Sequence, residues 1–269
     1  MEYMYHEEND VWGFPQTYKG IEFHPIKLSD FLTEKLFYRI FGYPKEYIKE
    51  KEIIKLSYLK YILYYVPLAT KEDSSIVQNN LENFFKKICK TDKVSLEVQK
   101  LDFIKNEIDS ILLSIKINGV SFNEEDFDIL REMILKQNGS SVRYIEDFDP
   151  TLEEKLNWFN RKTEGVTFED QLVTYCALSK IPICDDSIKN MTIYQFKKSF
   201  QRLALLLDYE NLFPLEISGQ IKSKTGKEIV KHYMSHIGQE GRYDSILISK
   251  DDFMNNHQLM KENNLKNEK

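Results

Sequence analysis

Three groups of residues in this chain could do chemistry: a loop rich in glycine and lysine, a histidine pair and three cysteines. The loop, Gly219–Lys227, comes close to the pattern of a phosphate-binding loop, whose backbone amides hold phosphate and whose Ser or Thr hydroxyl binds magnesium. Six residues separate Gly219 from Gly226 where that pattern needs four, and Glu228 stands in place of the hydroxyl residue. Because a carboxylate there repels phosphate, we interpret the segment as a surface loop with solvated lysines.

The histidine pair, His232 and His236, has a spacing that suits a metal if residues 228–237 form a helix, because side chains four apart share one helix face. A zinc site needs a third and usually a fourth protein ligand. Cys176 and Cys184 are the only obvious further donors, and their eight-residue spacing runs across Pro182. We therefore predict no metal site, and His232 and His236 are the only candidates for one.

The cysteines do not have the surroundings of nucleophiles. Cys89 and Cys176 lie on apolar helical stripes, where free cysteine behaves as a small buried hydrophobe. Cys184 precedes Asp185 and Asp186, whose negative charges disfavour the thiolate form that a nucleophile needs. The sequence also has no GxSxG nucleophile elbow. It therefore predicts a protein without catalytic residues and without a cofactor.

Lysines are concentrated between residues 187 and 237 of a chain whose formal net charge is −6. Such clusters usually form a solvated helix face, and the alternative is a docking surface for an acidic partner or a nucleic acid. The acidic balance and the scarcity of interleaved aromatic residues argue against nucleic acid. The candidates for partner binding are Lys197, Lys198, Lys222, Lys224, Lys227, Lys231, Tyr194 and Tyr233.

Composition points to a cytoplasmic protein without a membrane segment. Three cysteines without a CxxC pair suit a reducing compartment. The acidic, aromatic start of the chain, MEYMYHEENDVWGF, lacks the basic and apolar regions of a signal peptide. The most apolar run, Leu56–Leu68, is too short to span a bilayer.

In the first 90 residues, the patterns predict an irregular arm over residues 1–16 and one or two short strands in Gly20–Leu28. Helices should follow over residues 29–41, 45–66 and 74–90. Ser29 is the predicted N-cap of the first of these helices, and Pro67 should stop the second.

The middle of the chain should form a β-hairpin and a helix. Strands are predicted within residues 94–104, 110–117 and 120–122, and Asn118–Gly119 is typical of a tight hairpin turn. Asn123 and Asp126 fit a helix N-terminus, and this helix should end near Asn138–Gly139.

Towards the C-terminus, helices should open at Asp149–Pro150 and at Thr167. Thr192 and Gln195 form the capping box of the best-specified helix, which the lysine-rich loop and a short basic helix should follow. The predicted fold class is mostly α (α+β), with a helical bundle-like core and small β-hairpin elements near the N-terminus and around residues 94–122. We expect regions at 1–90, 91–147 and 148–250 and a polar tail at 251–269.

An ordered series of segments carries a family resemblance. It runs through Ile117–Gly139 with its DFDILR helix, then DFDPTLEEKLNWF, SIKNMTIYQFKKSFQRL, SGQIKSK and VKHYMSHI. In this order the segments resemble tail-module proteins of bacteriophages and prophages of Gram-positive bacteria, in particular tail assembly chaperones. The resemblance covers about the C-terminal half to 60% of the chain.

The resemblance implies a viral interaction protein that binds tape-measure or tail-tube subunits in the host cytoplasm, without cofactor or catalysis. The resemblance implies no catalytic residues, and it is compatible with an oligomer. One alternative is a structural component of the virion tail or baseplate. Another is a nucleic-acid-binding or metal-dependent protein that uses the Lys222–His236 region.

Overall fold

The computed structural model describes residues 4–42, 45, 53, 55–100, 111–140, 167–220, 230 and 232–235. These residues fall into two compact units, which are described separately. Unit 1 consists of the described residues within 1–146 and 176–198. Unit 2 consists of the described residues within 147–175 and 199–269.

The chain begins with a short helix, α1 (Glu7–Trp12), and a two-stranded antiparallel hairpin of β1 (Gln16–Tyr18) and β2 (Ile21–Phe23). The prediction of an irregular arm over residues 1–16 is therefore wrong. Gly13 ends α1 in the left-handed conformation, at φ 72°. Polar contacts specify this helix where an apolar stripe is lacking, and this explains why hydrophobic periodicity missed it.

The second helix, α2 (Phe31–Phe41), lies where the pattern predicted it, but its N-cap is Asp30. The Asp30 carboxylate accepts a hydrogen bond of 3.1 Å from the Thr33 amide. The predicted cap, Ser29, instead donates its own amide to the carbonyl of Lys189, because the chain from Ile26 to Ser29 runs beside residues 189–193.

The next helical stretch differs from the predicted helix over residues 45–66. Ser57 caps a new start, and helix then continues through α3 (Tyr58–Lys60), a π-helical turn (Tyr61–Tyr65) and α4 (Val66–Thr70). Pro67 therefore does not stop the helix. It lies in the first turn of α4, where the backbone hydrogen bonds change from the π-helical to the α-helical pattern. The N–H that proline lacks therefore costs little at this position.

Unit 1 continues with a helix and a three-stranded antiparallel sheet. α5 (Ser74–Ile88) precedes β3 (Val94–Lys100), β4 (Ile111–Ile117) and β5 (Val120–Phe122), in the order β3–β4–β5. The Asn118–Gly119 hairpin is confirmed, with φ of 50° and 86° at the two turn residues. The next helix, α6 (Glu124–Gln137), begins at the predicted N-cap Asn123, whose side chain forms a capping box with Asp126.

The core of unit 1 is dominated by aromatic rings from both hairpins and from the helices around them. Phe23 meets Phe85 and Phe122 edge to face, at centroid distances of 6.4 and 6.1 Å. Phe127 stacks on Phe41 at 6.4 Å. Each such buried ring contributes on the order of 1.5–3 kcal/mol relative to an exposed one. The fully buried set includes Phe23, Phe37, Phe84, Phe85, Phe122, Phe127, Phe196 and Tyr58.

The later described elements are α7 (Phe168–Ser179), α8 (Asp186–Asn190) and α9 (Ile193–Ile217). The predicted capping box of α9 is confirmed, since Gln195 Oε1 accepts from the Thr192 amide at 2.9 Å and Thr192 Oγ1 accepts from the Gln195 amide at 3.1 Å. The described residues 232–235 form a turn, so the predicted short basic helix is wrong at these positions.

Helices and two small antiparallel sheets together confirm the predicted mostly α (α+β) class. The predicted helix opening at Asp149–Pro150 lies outside the described residues. The predicted division into regions at 1–90, 91–147 and 148–250 with a tail at 251–269 stays a prediction.

Candidate interaction surfaces

The N-terminal helix of unit 1 displays an exposed surface that is both apolar and acidic. Trp12 is 70% exposed and Phe14 is 56% exposed, which is unusual for side chains of this size. The exposed carboxylates of Glu7 and Glu8 lie on the same short helix. We call this surface the acidic–aromatic face and define it by Met4, Glu7, Glu8, Val11, Trp12 and Phe14.

A buried polar network fixes the helix that carries this face. Asp10 is 3% exposed, and its carboxylate accepts hydrogen bonds from the Tyr5 hydroxyl and from Gln16 Nε2, the latter at 3.1 Å. Gln16 Nε2 also donates to the His6 carbonyl at 2.6 Å, while Gln16 Oε1 accepts from the His6 amide at 3.2 Å. Burial raises the pKa of Asp10, against the opposing effect of the hydrogen bonds from Tyr5 and Gln16.

The turn after α1 is also held in place. The Phe14 amide donates to the Asn9 carbonyl at 2.7 Å, and Asn9 Nδ2 donates to the Pro15 carbonyl at 3.0 Å. A Cβ added to Gly13 would come within 3.1 Å of Thr192 Cγ2. The exposure of Trp12 and Phe14 is therefore a property of an ordered turn.

The start of α9 lies against the same N-terminal segment. Gln195 Nε2 donates to the Val11 carbonyl at 2.8 Å. Burial raises the pKa of the Tyr194 hydroxyl, and the nearby charges of Asp10 and Glu7 raise it further. Tyr194, a predicted partner-binding residue, is therefore close to the acidic–aromatic face.

The two described lysines of the predicted docking surface have different surroundings. Lys197 Nζ donates to the Asn138 carbonyl at 3.1 Å, the Gly139 carbonyl at 3.4 Å and Ser140 Oγ at 3.1 Å, at the C-terminus of α6. A cation there complements the helix dipole, so Lys197 has a structural role. Lys198 is exposed, and its ammonium lies 5.8 Å from the centroid of the Tyr194 ring.

In unit 2, the described residues 230 and 232–235 return to the helix α9. The ring of Tyr209 stacks on Phe213 at 4.5 Å and meets His232 at 5.0 Å and Tyr233 at 5.5 Å. Arg202 Nη1 donates to the carbonyls of Tyr233 at 2.6 Å and Ser235 at 2.8 Å. Tyr233, the second predicted aromatic contact residue, is therefore half-buried in a ring cluster.

Comparison with known proteins gives one match within this chain. Residues 160–238 match the family model described as YomV second domain. YomV is a phage-associated protein, so this region of the chain is similar to a domain of a phage-related family. The match covers less than a third of the chain and includes α7, α8 and α9. Neither the curated proteins nor the solved structures gave a match.

The YomV-like region contains all the partner-binding candidates and both metal candidates. Lys222, Lys224, Lys227, Lys231 and His236 lie outside the described residues, so their roles stay predictions. Within the parts of the chain that the structure describes, no group of three or more His, Cys, Asp or Glu side chains is placed to hold a metal ion.

Two of the cysteines are held away from reactivity by burial. Burial raises the pKa of the Cys89 thiol to about 12, so this thiol stays protonated at neutral pH. Burial also raises the pKa of Cys176, while Cys184 is exposed.

Among the described helices, none combines the length and apolarity needed to cross a bilayer.

Sequence reasoning missed the acidic–aromatic face, although a signal for it was present. The first 18 residues contain no Lys or Arg, while the whole chain has 37. They also include Trp12, one of only two tryptophans. A stretch of this composition is typical of a contact surface, in which Trp, Tyr and Phe are enriched.

Proposed function

We propose that this chain is a non-enzymatic protein of phage morphogenesis, a tail assembly chaperone that binds tape-measure or tail-tube subunits before they assemble. The chain acts by binding, in the host cytoplasm, and the proposal assigns it no catalytic step, cofactor or metal. The YomV-like region supports the phage context, and the ordered series of tail-module motifs supports the tail assignment.

The observation that carries the proposal is the acidic–aromatic face. A folded protein that holds Trp12 and Phe14 in water on an ordered turn exposes a surface suited to a partner. The buried Asp10–Gln16 network keeps the helix in place, so little ordering entropy is lost when a partner binds. Transient capture of an apolar segment of an unassembled subunit is the task that such a surface serves.

The decisive experiment is co-expression of the tagged chain with the tape-measure and tail-tube proteins of its phage. We expect one of them to co-purify in fixed ratio with the wild-type chain. Trp12→Ala should abolish the complex, and Leu68→Ala should keep it, because Leu68 is a 79% exposed apolar side chain on the separate helix α4. A wild-type chain that binds neither protein would refute the proposal.

Mass spectrometry of purified virions separates a chaperone from a structural component of the particle. A chaperone leaves the complex before the particle is complete, so we expect at most a trace of the chain in virions. A fixed copy number per virion would instead identify a tail or baseplate component and overturn the chaperone proposal.

A further inference from the structure

We propose that the acidic–aromatic face binds an amphipathic helical segment of the partner, with Lys or Arg side chains beside an apolar stripe. This inference rests on the proposed function and specifies the chemistry of the segment that the chaperone holds.

The apolar and acidic side chains of α1 share one helix face. Val11 and Trp12 lie three and four positions after Glu8, so both are neighbours of Glu8 on the helix surface. Glu7 is four positions before Val11 and flanks the same face. Phe14 follows directly after the Gly13 turn. Apolar side chains with two carboxylates along one side form the complement of an apolar stripe with cations along one side.

The charge of the face points to a basic partner. Residues 4–18 contain no Lys or Arg, and neither Glu7 nor Glu8 forms a salt bridge with any residue that the structure describes. The ammonium of Lys136 lies 5.6 Å from the centroid of the Tyr5 ring. Lys136 pairs with Glu132 at 2.6 Å, so its charge is offset within α6.

The exposed indole adds a second preference for cations. Trp12 presents its ring to solvent, and an aromatic face attracts Lys and especially Arg from a partner. Acidic segments would instead meet Glu7 and Glu8 and be repelled. A basic amphipathic helix therefore satisfies the carboxylates, the indole and the apolar side chains together.

Synthetic peptides test the inference without the phage proteins. The probes are a Leu/Lys amphipathic helix of roughly 18 residues, a Leu/Glu helix of the same pattern and a scrambled Leu/Lys peptide that lacks an apolar face. Binding to the full-length chain is measured by fluorescence anisotropy of labelled peptide. We expect the Leu/Lys helix to bind, and the other two peptides to bind at least roughly tenfold more weakly.

Variants of the chain then locate the bound peptide. Trp12→Ala should weaken binding by roughly tenfold or more, as truncation of a central aromatic contact does. Glu7→Gln with Glu8→Gln should weaken it roughly threefold at low ionic strength, and this difference should vanish in high salt. Leu68→Ala should bind as the wild type does. In a Trp158→Phe background Trp12 is the only tryptophan, so its emission should shift to the blue when peptide binds.

Three outcomes would overturn the inference: equal binding by the wild type and Trp12→Ala, tighter binding of the Leu/Glu helix, or a wild-type dimer that Trp12→Ala converts to monomer. The last outcome would assign the face to a second copy of this chain. If the chain binds no peptide but still forms the complex with the tape-measure or tube protein, this inference fails and the proposed function stands. If the chain binds the Leu/Lys helix but forms no such complex, the proposed function fails and the peptide preference stands.

Discussion

The hydroxyl of Tyr18 donates a hydrogen bond of 2.7 Å to Oδ1 of Asp126, joining the N-terminal hairpin to the helix α6 that begins more than a hundred residues later. The second oxygen, Asp126 Oδ2, accepts from Lys19 Nζ at 2.6 Å and from the Asn123 amide at 3.0 Å. One carboxylate therefore closes the capping box of α6 and also fixes β1 against it.

Replacing Asp126 by Ala should destabilise unit 1 by about 2–3 kcal/mol, because the change removes one half of the capping box of α6 and the hydrogen bonds that the carboxylate accepts from Tyr18 and Lys19. Tyr18→Phe should cost about 1 kcal/mol. Urea denaturation measures both changes. The control is Glu125→Ala in the same helical turn, which should change the stability by less than about 0.5 kcal/mol. Additive effects in the Tyr18→Phe, Asp126→Ala double mutant would contradict the coupling.

The same carboxylate should give unit 1 a component of acid sensitivity. Burial acts to raise the pKa of Asp126, but the hydrogen bonds from Lys19, Tyr18 and Asn123 outweigh it, and the net pKa is lowered. A carboxyl with a lowered folded-state pKa stabilises the fold fully above its unfolded pKa of about 3.9, and this contribution is lost as pH falls through the folded pKa.

Stability measured by urea denaturation between pH 5 and 2 should therefore fall less steeply in Asp126→Asn than in the wild type, with the two curves converging at the acid end. The expected difference is confined to the region below about pH 4–5. An Asp126→Asn curve that runs parallel to the wild-type curve throughout would show that the Asp126 carboxyl has an unperturbed pKa.

Local sequence signals were sufficient for the elements that are specified within a few residues. The N-cap at Asn123, the capping box at Thr192 and the Asn118–Gly119 turn depend on neighbours in the chain, and all three predictions are confirmed. The helix α1 is different, because Asp10 and Gln16 specify it through burial and side-chain hydrogen bonds. No periodic pattern of apolar residues marks such a helix in the sequence.

The candidate surface illustrates the same limit. Composition could mark residues 1–18 as unusual, but it could not show that the turn at Gly13 lies beside Thr192, far away in sequence. In the same way, the lysine pattern could not reveal that Lys197 binds carbonyls 58 and 59 residues earlier. Tertiary contact decides which lysine is structural and which is exposed.

Lys197 and Lys198 should therefore differ when each is replaced by Met. Lys197→Met removes a cation from three oxygens at the C-terminus of α6, and it should cost about 1 kcal/mol. Lys198→Met should leave the melting temperature unchanged within about 1 °C, because its side chain is exposed. Thermal unfolding followed by circular dichroism measures both variants. Equal melting temperatures would contradict the structural role of Lys197.

Gly13 and Gly20 form a matched pair for testing the packing of the turn after α1. Both have positive φ, at 72° and 77°, so Ala should cost about 1–2 kcal/mol at either site through backbone strain. Only at Gly13 would the added Cβ meet a neighbour, Thr192 Cγ2 at 3.1 Å, while Gly20 has open space. We expect Gly13→Ala to be the more destabilising variant in urea denaturation. The reverse order would show that the contact with Thr192 is unimportant.

The returning segment of unit 2 depends on Arg202, whose Nη1 donates to the carbonyls of Tyr233 and Ser235. Arg202→Ala should release this segment without unfolding α9, because Arg202 is exposed and the helix keeps its own ladder. Hydrogen exchange should show faster exchange at the Ser235 amide, which donates to the His232 carbonyl at 2.8 Å, by roughly tenfold or more as local opening becomes easier. The exposed neighbour Gln201 supplies the control, and Gln201→Ala should leave exchange there unchanged. Unaltered exchange in Arg202→Ala would mean that other contacts, such as those of the Tyr209 ring with His232 and Tyr233, hold the segment without Arg202.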